Sequence, residues 1–114
     1  MQLTKRSLAE EPRDLLLIFA KTASVYILTS KRTASAAELA TDALRGANRA
    51  TIVGENTAGE ILSQKIYDIP GGFHLSLPIA DYYSAVNGRI EGVGIRPDIE
   101  TDAANALEVA LKQF

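Results

Sequence analysis

Two short apolar segments with one alanine-lined helical stretch between them limit the fold of this chain more than any other feature. "SVYILTS", residues 24–30, is rich in β-branched and aromatic side chains and reads as a buried strand. Ala36, Leu39, Ala40, Ala43, Leu44 and Ala47 then recur at helical spacing and make one narrow apolar face. Alanines let such a helix lie close against a sheet, and Gly46 or Asn48 can end it. "ATIVG", residues 50–54, is a second apolar strand. Strand, helix and strand in that order call for a parallel βαβ crossover, because parallel strands need a long connection across one face.

The remaining elements add to this unit. "ENTAGE", Glu55 to Glu60, is a loop. "LSQKIYDI" and "FHLSLPI" flank Pro70 to Gly72, a turn sequence suited to an antiparallel hairpin. Phe73, Leu75 and Leu77 alternate with His74 and Ser76, so one hairpin face is expected to be buried. "YSAVNGRIEGVGIRPDIE" is glycine-rich and irregular. "ALEVALKQF" closes the sequence as a helix, with Asp102 as its cap and Ala103, Ala106, Leu107 and Ala110 on one face. Together these elements give an α/β or α+β class with a small mixed sheet. Residues 1–23 stay unassigned: Ser7 to Glu10 has the form of a capping box but Pro12 follows at once, and Leu15 to Ala20 fits a strand or a helical turn equally well.

Bulk properties exclude several functions. A length of 114 residues suits one small domain or part of a larger one. A net charge of −2 argues against a nucleic-acid surface. The sequence has no cysteine, which removes thiol chemistry, and its one histidine, His74, is too few for an ordinary zinc site; no metal or cofactor is expected. The apolar run Leu15 to Ala20 is far too short to cross a bilayer, and Glu10, Glu11 and Asp14 interrupt what a signal peptide would need.

Ser35 is the residue with two meanings. Ser35-Ala36-Ala37-Glu38 has the form of a capping box, in which serine and glutamate bond each other's backbone. The same position suits a nucleophile, because a helix N-terminus supplies free N–H groups and partial positive charge for an oxyanion. No base lies near it in sequence.

"YILTSKRTASAAELA", "RATIVGENTAG", "GFHLSLPIADYYSAVNG" and "EGVGIRPDIE", in this order, resemble the C-terminal part of the tail-specific (carboxyl-terminal processing) serine peptidase family, nearest the branch of interphotoreceptor retinoid-binding protein and tricorn core protease. The resemblance spans about Val25 to Thr101. It implies a ClpP/crotonase-like α/β core over residues 24–114 and an acyl-enzyme mechanism. It puts the nucleophile on Ser35, an oxyanion N–H on Ala36 and a supporting carboxylate on Glu91. Tyr82 and Tyr83 fall in a segment that borders the substrate groove in relatives, although packing is their ordinary role.

The departures qualify that expectation. The processing branch places a lysine base after T-x-G, where this sequence has Glu60, and a carboxylate cannot act as an amine. Glu60 otherwise reads as a solvated loop residue, and alternation turns His74 toward solvent. The family's N-terminal half, which supplies the histidine of the tricorn-like branch, has no counterpart here. The expected function is therefore a serine-type peptidase part, weakly active or inactive alone, that meets a polypeptide substrate or the rest of the peptidase. The alternative is a non-catalytic binding or assembly module, of retinoid-binding type, for an apolar ligand. Uncovered apolar surface in such a part favours a homo-oligomer. Relatives are often extracytoplasmic, but nothing in the residues fixes a compartment.

Overall fold

The computed structural model describes residues 22–114. The expectations for Ser7 to Glu10 and Leu15 to Ala20 lie outside them. The order of elements is β1 (Tyr26–Thr29), α1 (Ala36–Gly46), β2 (Thr51–Gly54), β3 (Ser63–Ile69), β4 (Phe73–Ala80), β5 (Tyr83–Ser84), β6 (Gly88–Arg89), β7 (Ile99–Glu100), a 3-10 turn (Ala103–Asn105) and α2 (Ala106–Leu111). β1 and β2 pair in parallel from Tyr26–Thr51 to Thr29–Gly54, with α1 as their crossover, as the pattern requires. β7 joins the other side of β2, also in parallel.

The expected mixed sheet resolves into three pieces. The parallel sheet β1-β2-β7 stands apart from two antiparallel ribbons, β3-β4 and β5-β6. Central strand β2 divides the core by its pleat. Ile52 points to a cluster with Ile61, Ile90 and Ile95, against which Tyr82 packs. Val53 points to the opposite side, where Ala106 and Ala110 of α2 lie close, aided by Tyr26, Ile99 and Val109. The edge of the Phe114 ring meets Tyr26, with centroids 5.3 Å apart.

Three expectations about burial are corrected. The apolar face of α1 does not meet the body: Leu39 and Leu44 are 38% and 40% exposed, whereas Glu38, Thr41 and Asp42 point inward and are buried. Glu38 and Asp42 accept hydrogen bonds from loops, while Thr41 Oγ1 donates back to the Ala37 carbonyl within the helix. Asp42 takes Ser84 Oγ at 2.8 Å, Tyr82 Oη at 3.1 Å and Asn87 Nδ2 at 2.5 Å. That carboxylate raises the Tyr82 phenol above its usual range, chiefly because ionisation would forfeit the hydrogen bond. Secondly, neither face of the β3-β4 hairpin is buried, since every residue of both strands is exposed. Its strands pair only with each other, so alternation sorts the faces without covering either. Thirdly, Leu107 and Ala103 do not share the buried face of α2: Leu107 is 60% exposed and Ala103 lies exposed in the 3-10 turn, while Ala106 and Ala110 are buried. Asp102 precedes the 3-10 turn in the cap position but makes no side-chain cap bond.

The last turn of α1 is tied to the chain before β7. The Arg45 guanidinium donates to the Arg96 carbonyl at 2.5 and 2.8 Å and lies 3.6 Å from Asp98. Asp98 in turn accepts the Ile52 N–H at 2.8 Å through Oδ2. The "RPDI" segment thereby locks the helix end to the central strand.

Candidate active site

Ser35 occupies the N-cap of α1 with φ 55° and ψ −123°. Positive φ is uncommon for a residue carrying a Cβ, and a sparsely populated conformation costs of order 1–3 kcal/mol. Its own amide holds it there: the Ser35 N–H is shared between the Glu60 carbonyl at 2.8 Å and Glu38 Oε2 at 3.1 Å. Ser35 and Glu38 form a capping box, closed by the Glu38 carboxylate on the Ser35 N–H, although the Ser35 hydroxyl makes no close cap hydrogen bond of its own. The Glu38 and Leu39 N–H groups bond the Ser35 carbonyl oxygen instead, at 2.9 and 3.1 Å. Ser35 is exposed at this corner. Ala36 opens the helix, so its N–H has no carbonyl one turn behind to bond.

Backbone strain at Ser35 has a measurable consequence. Glycine adopts positive φ freely, so Ser35→Gly is expected to be more stable than Ser35→Ala by roughly 1 kcal/mol in urea unfolding. Equal stabilities of the two variants would show that the corner stores no strain.

Glu38 organises the surroundings. It is 0% exposed and its two oxygens collect four donors. Oε1 accepts Thr57 Oγ1 at 2.5 Å and the Gly59 N–H at 2.7 Å. Oε2 accepts the Glu60 N–H at 3.0 Å besides that of Ser35. Thr57 Oγ1 accepts the Ile95 N–H at 2.7 Å, which extends the network into the "GVGIRPD" segment. Spacing from Ser35 marks Glu38 only as a capping partner. The signal available was the pair Glu38 and Asp42, spaced one helical turn apart on the face opposite the apolar stripe.

Glu91 faces the same site from the other side. Its Oε2 accepts the N–H groups of Ile61 and Leu62 at 2.7 and 3.2 Å. Ser35, Ala36, Leu39, Glu60, Ile61 and Glu91 line one open cleft of about 640 Å³. The structure thus brings the three expected site residues, Ser35, Ala36 and Glu91, to one cleft. Glu60 is an exposed loop residue, but it belongs to the cleft and its carbonyl touches Ser35. His74 is not there. It sits on the hairpin with 71% of its side chain exposed, and its Nδ1 lies 2.7 Å from Asp68 Oδ1. Tyr82 packs on the core, as expected, whereas Tyr83 is 67% exposed and does not. Among the described residues no cluster of histidine and carboxylate groups is suited to a metal ion. No helix there is long and apolar enough to cross a membrane.

A parallel sheet whose first crossover helix begins on a serine at positive φ beside a cleft defines an α/β protein with a hydroxyl at a helix start in a cleft. Comparison with known proteins narrows that class. Residues 3–101 match peptidase family S41, and this chain belongs to that family. A carboxyl-terminal-processing protease of Picosynechococcus sp. is 36% identical over 76 residues, covering 67% of this chain and 18% of that protein. The chloroplastic carboxyl-terminal-processing peptidase 1 of Arabidopsis thaliana is 36% identical over 77 residues, covering 68% of this chain and 16% of the relative. The solved photosystem II D1 C-terminal processing protease aligns with a TM-score of 0.65 at 30% identity, over 72% of this chain and 21% of that one. Mature CPAF, solved with lactacystin, shares the fold at a TM-score of 0.63 and 23% identity, over 79% of this chain and 18% of that one. The chain spans less than a fifth of the length of these two curated relatives.

Proposed function

We propose that this chain carries the nucleophile half of a carboxyl-terminal-processing type of serine peptidase site and that a polypeptide is its substrate. The observation that carries the reading is Ser35 itself, held at positive φ at the start of α1, exposed and lining the cleft. Ser35 Oγ attacks the scissile carbonyl, and the Ala36 N–H, unpaired at the helix start, receives the developing oxyanion. Glu91 supports the cleft wall by holding the Ile61 and Leu62 amides. The base comes from outside Ser35's own surroundings, because position 60, where the processing proteases resembled here place a lysine, carries a carboxylate.

Two measurements test this. The dilute, purified chain is expected to cleave an unstructured peptide at background rate, since losing one member of a serine–base pair costs roughly 10⁴–10⁶-fold. Cleavage that Ser35→Ala abolishes would show that no outside base is needed. Glu60→Lys places an amine on the residue whose backbone already bonds Ser35, and it is expected to raise fluorophosphonate labelling at Ser35 at least about tenfold. A Glu60→Lys chain that folds normally and stays unlabelled would remove the nucleophile assignment. The alternative, a binding module for an apolar ligand, draws no support from the relatives above, and the placement near retinoid-binding proteins rests on the motifs alone.

A further inference from the structure

Asn87 and Gly88 stand together where the turn of the β5-β6 ribbon enters β6, and no other asparagine in the sequence precedes a glycine. Asn48 precedes Arg49, Asn56 precedes Thr57 and Asn105 precedes Ala106. Asparagine before glycine is the pair most prone to lose its side-chain amide, because no Cβ shields the backbone nitrogen that attacks it. Both residues are exposed, and a Cβ on Gly88 would meet nothing within 4 Å. Gly88 has φ +71°, the left-handed conformation that closes a three-residue hairpin turn and favours glycine.

The Asn87 amide is also a structural tie. Nδ2 donates to Asp42 Oδ1 at 2.5 Å, beside the Ser84 hydroxyl, which donates to the same oxygen at 2.8 Å. Ser84 Oγ in turn accepts the N–H groups of Val86 and Asn87 at 3.1 and 3.0 Å. Asp42 is buried on the inward side of α1. The ribbon pairs with no further strand among the described residues, so side-chain ties of this kind fix it to the helix.

We propose that Asn87-Gly88 is a self-modifying site, and that deamidation there releases the β5-β6 ribbon from α1. The Gly88 nitrogen gives up its proton and bonds Asn87 Cγ; the Cγ–Nδ2 bond breaks, and ammonia leaves with that proton. Water then opens the cyclic imide. Addition at Cγ yields aspartate, and addition at the main-chain carbonyl yields isoaspartate, with the side-chain carbon drawn into the backbone. Either product sets a carboxylate where a donor had faced Asp42. Two carboxylates at hydrogen-bond distance do not both stay ionised, and the exposed one swings into water. Arg89, two residues on, does not answer the new charge, since Asp81 holds its guanidinium at 2.8 Å. The bond to Asp42 pins the Asn87 side chain and so guards the site. A hydrogen bond to a charged group lowers the unpinned fraction about tenfold or more. None of this depends on the reading of Ser35 as a nucleophile.

Mass spectrometry of peptides from the native chain, aged in mildly alkaline buffer with and without urea, tests the modification. In the folded chain Asn87 is expected to deamidate faster than Asn48, Asn56 and Asn105, and about tenfold more slowly than in urea. An Asn87 that stays intact while another asparagine converts, or one that converts as fast folded as in urea, would overturn the site. Amide hydrogen exchange tests the release. In the Asn87→Asp chain, altered at an exposed residue, the N–H groups of Val86 and residue 87 are expected to exchange at least about tenfold faster than in the native chain. Asn87→Ala removes the donor without adding charge and is expected to fall between the two. Native protection in Asn87→Asp, or equal loosening in Asn87→Ala and Asn87→Asp, would overturn a release driven by charge.

Discussion

Replacing Glu38 with alanine is expected to cost about 4 kcal/mol of stability, enough to leave a small domain largely unfolded at 37 °C. The substitution removes one buried carboxylate and strands three donors at once, Thr57 Oγ1 and the N–H groups of Gly59 and Glu60, while the Ser35 N–H keeps the Glu60 carbonyl. Each buried donor left without a partner costs roughly 1–3 kcal/mol, moderated where water enters the open cleft. Glu38→Gln keeps the shape and one good acceptor, but its amide NH₂ then faces donors. About half the loss is expected. Urea unfolding of the three chains measures this directly. A loss under about 1 kcal/mol for Glu38→Ala would mean that the loop holds its place by packing alone.

Gly94→Ala is the second large effect, with an expected loss of roughly 2–4 kcal/mol. Gly94 has φ +76°, and a Cβ there would lie 2.3 Å from the Thr57 carbonyl oxygen and 2.4 Å from Asn56 Nδ2. The amide could move, but the carbonyl belongs to the backbone of the loop that Glu38 organises. Gly59 stands opposite, and a Cβ on it would come within 2.7 Å of the Gly94 nitrogen. Two glycines thus let the "TAGE" loop and the "EGVGIRPD" segment touch backbone to backbone. Because Gly59 and Gly94 adjoin the segments that carry Glu60 and Glu91 into the cleft, Gly94→Ala is also expected to lower Ser35 labelling in the Glu60→Lys chain. Unchanged melting and unchanged labelling would show that the close approach is dispensable.

Much of the architecture was legible in local patterns. The crossover of β1, α1 and β2 followed from two apolar strands around an alanine-lined helix. The hairpin followed from a proline–glycine turn between alternating runs. Ser35, Ala36 and Glu91 were legible only through motif order, since Ser35 and Glu91 are 56 residues apart in the sequence and share a cleft through tertiary folding. The network around Glu38 was not legible. Its partners lie about twenty residues downstream, and no periodicity reports a hydrogen bond to a loop amide.

Residue spacing alone determined which side chains share a face: Leu39 with Ala43, Phe73 with Leu75, Ser35 with the opening of a helix. Only the three-dimensional packing decided where each face looks. On α1 the polar side turned inward, because Glu38 and Asp42 answer the amides and hydroxyls of two loops that would otherwise sit buried and unpaired. A repeat of 3.6 or 2 carries phase, not direction; direction is set by which groups must find a partner once water has been excluded.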